Sequence, residues 1–115
     1  MNIQKELSKG SSSLLVLSVL GTGDMYGYQI IKEIEQRSEF VFSFKEGTLY
    51  PILHGFEQEG LVKSYWQDGE RGKRRKYYHI TDRGLNLLNK SPEDWRSYST
   101  AVEKVIRSGF APSAV

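Results

Sequence analysis

The segment Lys45–Leu61, KEGTLYPILHGFEQEGL, constrains this chain more than any other. Leu49, Ile52, Leu53 and Phe56 recur at helical spacing and make one apolar stripe. Gly60 stands where a left-handed helix C-terminus is expected. The spacing therefore predicts a helix that buries one side and ends sharply. Its start is chemically distinct. Lys45, Glu46, Thr48 and Tyr50 fall in the first two turns, off the stripe, and a helix N-terminus already favours phosphate. Such a helix is built either as an ordinary core element or to enter a DNA major groove.

The flanking segments supply the context. Leu14–Leu20 is apolar nearly all round apart from Ser18, which predicts a buried helix ending in the turn Gly21–Asp24. Before it, Gly10 and Ser11–Ser13 predict a break or a helix start. Ile3 and Leu7 are four residues apart, as a frayed end or as a surface for a second subunit. Tyr26–Ser38 predicts the next helix, with Gly27, Ile30, Ile31 and Ile34 on its stripe and Asp24 as cap and dipole partner. Phe40–Phe44 is a short aromatic connector, either an irregular link or one strand. Three helices joined by short turns result, the last two forming a helix-turn-helix candidate.

After Gly60 the period changes from helical to two. Leu61–Gln67 and Lys76–Thr81 predict the strands of a hairpin, with Tyr78 and Ile80 on the core face and Tyr77 and His79 on the other. Between them lies the loop Asp68–Arg75. Five of the six residues Arg71–Lys76 are basic. Lys+Arg number 16 against 14 Asp+Glu, a net charge of only +2, so the nucleic-acid signal lies in this clustering and not in the total. A basic hairpin tip directly after a recognition-type helix fits phosphate or the minor groove.

Thr81 is the expected cap of a helix carrying Leu85 and Leu88. Ser91-Pro92-Glu93-Asp94 reads as a second helix start, opening a final helix to about Arg107. Trp95, Tyr98, Val102, Val105 and Ile106 lie along one face of it and fit packing against a second copy in a two-fold dimer. The division expected is 1–90 as the DNA-binding domain, 91–109 as a dimerisation helix and 110–115 as a tail.

Other classes have little support. The chain has no cysteine, so disulfides, thiol nucleophiles and cysteine-based zinc sites are excluded. His54 and His79 fall on different elements without a metal-ligand or triad pattern, and no cofactor, metal or catalytic residue is expected. No apolar run approaches the roughly 20 residues of a membrane span, and no signal peptide opens the chain, so a cytoplasmic location is expected.

Together, LLVLSVL, MYGYQIIKEI, EGTLYPIL with EQEGLV, and GKRRKYYHITDRG resemble the winged helix-turn-helix of the PadR-type transcriptional regulators. These motifs cover Leu14–Gly84, and the final helix is similar in length to that of the family's short subgroup. The resemblance implies a mainly α fold with a small β-hairpin and a homodimeric DNA-binding repressor. It also implies response to a small phenolic or hydrophobic molecule. Gly55 departs from the family, which often has a basic residue there, while Pro51 matches the pattern. The DNA contacts expected are Lys45, Glu46, Thr48, Tyr50 and His54 of the helix, Arg71, Lys73, Arg74 and Lys76 of the wing, and Tyr26. Tyr26 and Tyr28 either touch the DNA backbone or pack beneath the recognition helix. Trp95 is expected either to fill the dimer core or to line a slot for a planar aromatic effector. The alternative reading is a winged-helix protein-interaction module without DNA binding.

Overall fold

The computed structural model describes residues 3–110, and the side chains of residues 11–109. In chain order the elements are α1 (Ile3–Leu20), β1 (Met25–Tyr26), α2 (Gly27–Arg37), α3 (Glu46–Gln58), β2 (Val62–Asp68), a single 3-10 turn (Glu70–Gly72), β3 (Arg74–Ile80) and α4 (Asp82–Phe110). The strands form one antiparallel sheet in the order β1-β3-β2. The protein is thus mainly α with a small β wing, a winged helix-turn-helix.

The break expected around Gly10 is absent, and α1 runs unbroken through it. The glycine and serines are weak helix formers, at about 0.5–1 kcal/mol each relative to alanine. Packing overrides them: Ser11 and Ser12 are buried, and Val16, Leu17, Val19 and Leu20 enter the core. Ile3 and Leu7 lie in α1, but their side chains fall outside the described residues.

Tyr26 was expected inside α2 and instead belongs to β1. Met25 pairs with Tyr78 and Tyr26 with Tyr77, adding a third strand beside β3. Asp24 does not cap α2, because it is taken up by Tyr65 and His79 of the wing. The helix opens instead with the Tyr26 N–H donating to Gln29 Oε1 at 3.2 Å. Its expected stripe of Gly27, Ile30, Ile31 and Ile34 is buried. The connector 40–44 is no strand. Glu39 and Phe40 have φ of 52° and 65°, which turns the chain out of an extended path, and only Phe44 is buried there.

α3 buries Leu49, Leu53 and Phe56, with Ile52 half-buried beside them. It ends as expected at Gly60, φ +74°. The Leu61 N–H reaches back to the Phe56 carbonyl at 2.8 Å and the Gly60 N–H to Glu57 at 3.1 Å, the paired bonds of a Schellman motif. β2 lies one residue later than expected, β3 starts two residues earlier and ends one residue earlier, and the two pair from Val62↔Ile80 to Asp68↔Arg74. Tyr78 and Ile80 are buried and His79 is exposed, the face assignment that the two-residue period requires.

Thr81 caps α4, its hydroxyl accepting the Gly84 N–H at 3.1 Å. The second helix start expected at Ser91 is absent. α4 continues through Pro92 as one helix, so the boundary between residues 90 and 91 falls inside it. Ser91 does not cap anything; its hydroxyl donates back to the Leu87 carbonyl at 3.0 Å. Pro92 removes one helical hydrogen bond. Leu85 and Leu88 nevertheless pack against the core, which holds this half of the helix in place. Residues 111–115, most of the expected tail, lie outside the described residues.

Candidate nucleic-acid interface

α3 presents an open polar face. Lys45 is its N-cap in extended conformation, without a side-chain capping bond. The Lys45 carbonyl accepts the N–H groups of Thr48 and Leu49, each at 3.0 Å. The earlier N–H groups of the first turn carry the positive end of the helix dipole toward solvent. Lys45, Glu46, Thr48, Tyr50, Pro51 and His54 are all exposed. Tyr50 is the most constrained of them. Its phenol leans on the start of α2 so closely that a Cβ at Gly27 would lie 2.5 Å from the hydroxyl oxygen. His54 Nε2 lies 3.3 Å from Nε2 of Gln58, which extends the polar face by one turn. A Cβ at Gly55 would meet nothing within 4 Å, so this departure from the expected basic residue leaves an open notch.

The wing stands beside this face and is tied to it. Glu57 of α3 accepts the Ser64 hydroxyl of β2 at 2.9 Å and lies 3.8 Å from Lys76 Nζ of β3. One carboxylate therefore bridges the helix and both strands of the hairpin. Burial pushes the nearby Tyr78 phenol above its ordinary value, with Glu57 and Tyr50 adding to the effect. The basic residues then divide by strand face. Arg74 and Lys76 share the face of Val62 and Tyr78. Arg74 Nε lies 3.6 Å from Asp68, and its guanidinium is 5.6 Å from the centre of the Trp66 ring. Arg71 and Lys73 are exposed at the tip, where Arg71 itself takes a left-handed conformation of φ 61°.

Arg75 points to the opposite face. It donates to the Tyr26 hydroxyl at 2.6 Å and lies 4.4 Å from that ring's centre. Tyr26 stands edge-on to Tyr77 at 5.4 Å, and Tyr77 stacks on Tyr65 at 5.7 Å. The Tyr65 hydroxyl donates to Asp24 Oδ2 at 2.6 Å, and His79 Nδ1 lies 2.8 Å from Oδ1. Burial raises the Asp24 carboxyl, but the hydrogen bonds from Tyr65 and His79 and the attraction of His79 outweigh it, leaving it below its ordinary 3.8. The bond to Asp24 is in turn the main cause that raises the Tyr65 phenol. Tyr26 thus packs and bonds within the wing's outer face, whereas Tyr28 is 59% exposed with Lys32 Nζ 5.3 Å from its ring centre.

Residues 16–90 match the model of the PadR-like transcriptional regulator family. The chain belongs to this family. A transcriptional regulator from Clostridium thermocellum is 35% identical and superposes with a TM-score of 0.76, covering 86% of this chain and 96% of that one. A PadR-family regulator from Eggerthella lenta DSM 2243 is also 35% identical, with a TM-score of 0.75 over 88% of this chain and 86% of that one. The transcriptional regulator YqjI of Escherichia coli (strain K12) is 28% identical over 90 residues, which are 78% of this chain and 42% of that protein. This chain is a PadR-family transcriptional regulator.

Beyond the matched residues 16–90, the later part of α4 carries the aromatic residues expected there. Trp95 and Tyr98 have ring centres 6.0 Å apart. With Leu14, Leu17, Phe56 and Leu87 they line a cleft of about 420 Å³ between α1 and α4. Trp95 is 45% exposed within it. Farther along, Tyr98, Val105 and Ile106 are exposed and Val102 is half-buried, an apolar edge without cover among the described residues. No group of acidic and histidine residues suited to a metal ion occurs among the described residues, and no helix there is long and apolar enough to cross a membrane.

Sequence reasoning did not single out Glu57, Gln58, Arg75 or Trp66. The link from Glu57 to β2 and β3 is a contact between elements that local pattern does not carry. The strand faces of Trp66 and Arg75 follow from the alternation that placed Tyr78, once the register is known.

Proposed function

We propose that the protein is a homodimeric repressor that binds a two-fold-symmetric operator and leaves it when a planar aromatic or hydrophobic effector binds beside Trp95. The observation that carries this reading is the uncapped, open face of α3 joined through Glu57 to a hairpin rich in cations. α3 would lie in the major groove. Thr48, Tyr50 and His54 would face base edges, Glu46 would accept from a cytosine amino group, and Lys45 would take a phosphate at the helix start. Arg71, Lys73, Arg74 and Lys76 would grip the backbone or the minor groove. Tyr26 holds Arg75 on the opposite face of the wing, and its own contact with DNA would be limited to the backbone.

The uncovered edge Tyr98, Val105 and Ile106 supports a dimer built on α4, with Ile3 and Leu7 of α1 in the same interface. Two such subunits would meet half-sites roughly 34 Å apart, or a multiple of that. The apolar cleft at Trp95 supports the effector reading, because a flat ligand fits between aromatic faces. The site of action would be the cytoplasm, where the operator is.

The test uses duplexes from the DNA upstream of the protein's own gene. Thr48→Ala should bind its palindrome more weakly by about 1–3 kcal/mol if Thr48 reads a base, with an unchanged circular dichroism spectrum. Sedimentation of Trp95→Ala separates the two roles of that residue. A dimer that no longer responds to planar aromatic compounds supports the slot. A monomer means that Trp95 fills the dimer core. A wild-type protein that binds no duplex would leave the interaction-module reading in its place.

A further inference from the structure

One large side chain of the wing has no task in this scheme. On β2, Val62 is buried and Ser64 turns toward Glu57 of α3. Trp66 is the next residue on that face, yet it is 57% exposed. The core ends one rung earlier, where Tyr78 is 4% exposed opposite Ser64. Burial therefore does not account for an indole at this position. Its neighbours are cations. Lys76 is its cross-strand partner, and the Arg74 guanidinium lies 5.6 Å from its ring centre, held by Asp68 at 3.6 Å.

We propose that Trp66 is a DNA-contacting residue, packing its ring against a deoxyribose or base edge while Arg74 and Lys76 take flanking phosphates. The proposal rests on the reading of the protein as a DNA binder. An exposed indole between two cations matches a partner that alternates anionic groups with flat or apolar ones. Nucleic acid offers that alternation: phosphates for the cations, sugar faces and base edges for the ring. Trp66 lies on the side of the hairpin tied to α3, so a duplex engaging both elements would pass it. Arg74 already lies along the indole, so the pair meets the DNA with less side-chain freedom left to lose. Asp68 and Glu57 are the acids on this face. Each is occupied by a cation of the wing, Arg74 and Lys76 respectively, which reduces its repulsion of a phosphate.

The test separates the ring from the charges beside it. The chain has two tryptophans. Labelling with 5-fluorotryptophan gives one fluorine resonance for each, and Trp66→Phe identifies that of Trp66 by its loss. Adding a duplex from the DNA upstream of the protein's own gene should shift the Trp66 resonance and shield it from solvent. Trp66→Ala should bind that duplex about tenfold more weakly, as tryptophans central to an interface do, and Trp66→Phe should recover part of the loss. The slope of log K against log salt should stay as in the wild type, because no cation has been removed. A fixed Trp66 resonance on a duplex that the wild-type protein binds would overturn this inference alone. So would a Trp66→Ala loss accompanied by a flatter salt slope, which would mean that the indole only positions Arg74. Failure of the wild type to bind any duplex would overturn the DNA reading with it.

Discussion

Replacing Gly84 with alanine should loosen the joint between α4 and the wing. A Cβ at this position would overlap the Leu61 carbonyl oxygen and lie 2.7 Å from Cγ1 of Ile80. The carbonyl cannot give way as the end of a long side chain would. Leu61 O already accepts the Thr81 N–H at 3.0 Å, and the Thr81 hydroxyl donates to the Gly60 carbonyl at 2.7 Å. These bonds fix the turn after α3 against the first turn of α4. Overpacking of this kind costs about 1–3 kcal/mol, while exchanging a helical glycine for alanine returns up to about 1 kcal/mol. The net loss should be about 1–2 kcal/mol, a fall in melting temperature of roughly 5–10 °C for a domain of this size. Urea unfolding followed by circular dichroism measures it. Gly55→Ala in α3 is the internal control, because a Cβ there meets nothing within 4 Å and should raise stability slightly. If Gly84→Ala proved as stable as Gly55→Ala, the close packing of α4 on Leu61 would be refuted.

Two further changes test other joints. Asp24 has a carboxyl held below its ordinary 3.8, so its contribution to stability is complete above that value and fades as pH falls through the lowered one. Asp24→Asn should therefore be less stable than wild type near neutrality, and the gap in melting temperature should close at acid pH; a gap that is the same at every pH would remove the Asp24 charge from the account. Pro92→Ala restores a helical donor in the middle of α4 and should raise stability by up to about 3 kcal/mol. Lower stability in that variant would mean that α4 is not continuous through position 92.

The amphipathic elements were legible because their signals are local and periodic. Leu49, Leu53 and Phe56 of α3, the isoleucines of α2, and Tyr78 with Ile80 in β3 all took the predicted faces. Gly60 was equally readable, since a left-handed residue after a helix has few alternatives. The misreadings came where a local signal met a distant partner. Ser91-Pro92 has the form of a helix start, but α4 runs on through it. Gly10 and the serines have the form of a break, but their turns pack into the core. Asp24 suits a helix cap, yet Tyr65 and His79, remote in sequence, bond to it instead. β1 is two residues long and forms only because β3 is already there. The candidate DNA surface was legible as composition, in the start of α3 and the cationic tip. What composition did not carry was strand face: Arg75 turns away to Tyr26, while Arg74 and Lys76 stay beside Trp66.

The central claim is that α3 and the wing together bind duplex DNA. Its most direct test is the salt dependence of binding, by fluorescence anisotropy, for the wild type and for Arg71→Ala with Lys73→Ala. These two exposed tip residues lie outside the ion pairs that engage Arg74 and Lys76. Binding should be lost steeply with added salt in the wild type. The double variant should bind every duplex more weakly, and its slope of log K against log salt should be flatter by about 0.9 for each phosphate contact removed. A double variant with the wild-type slope and affinity would contradict the account, because the wing would then stand clear of the DNA.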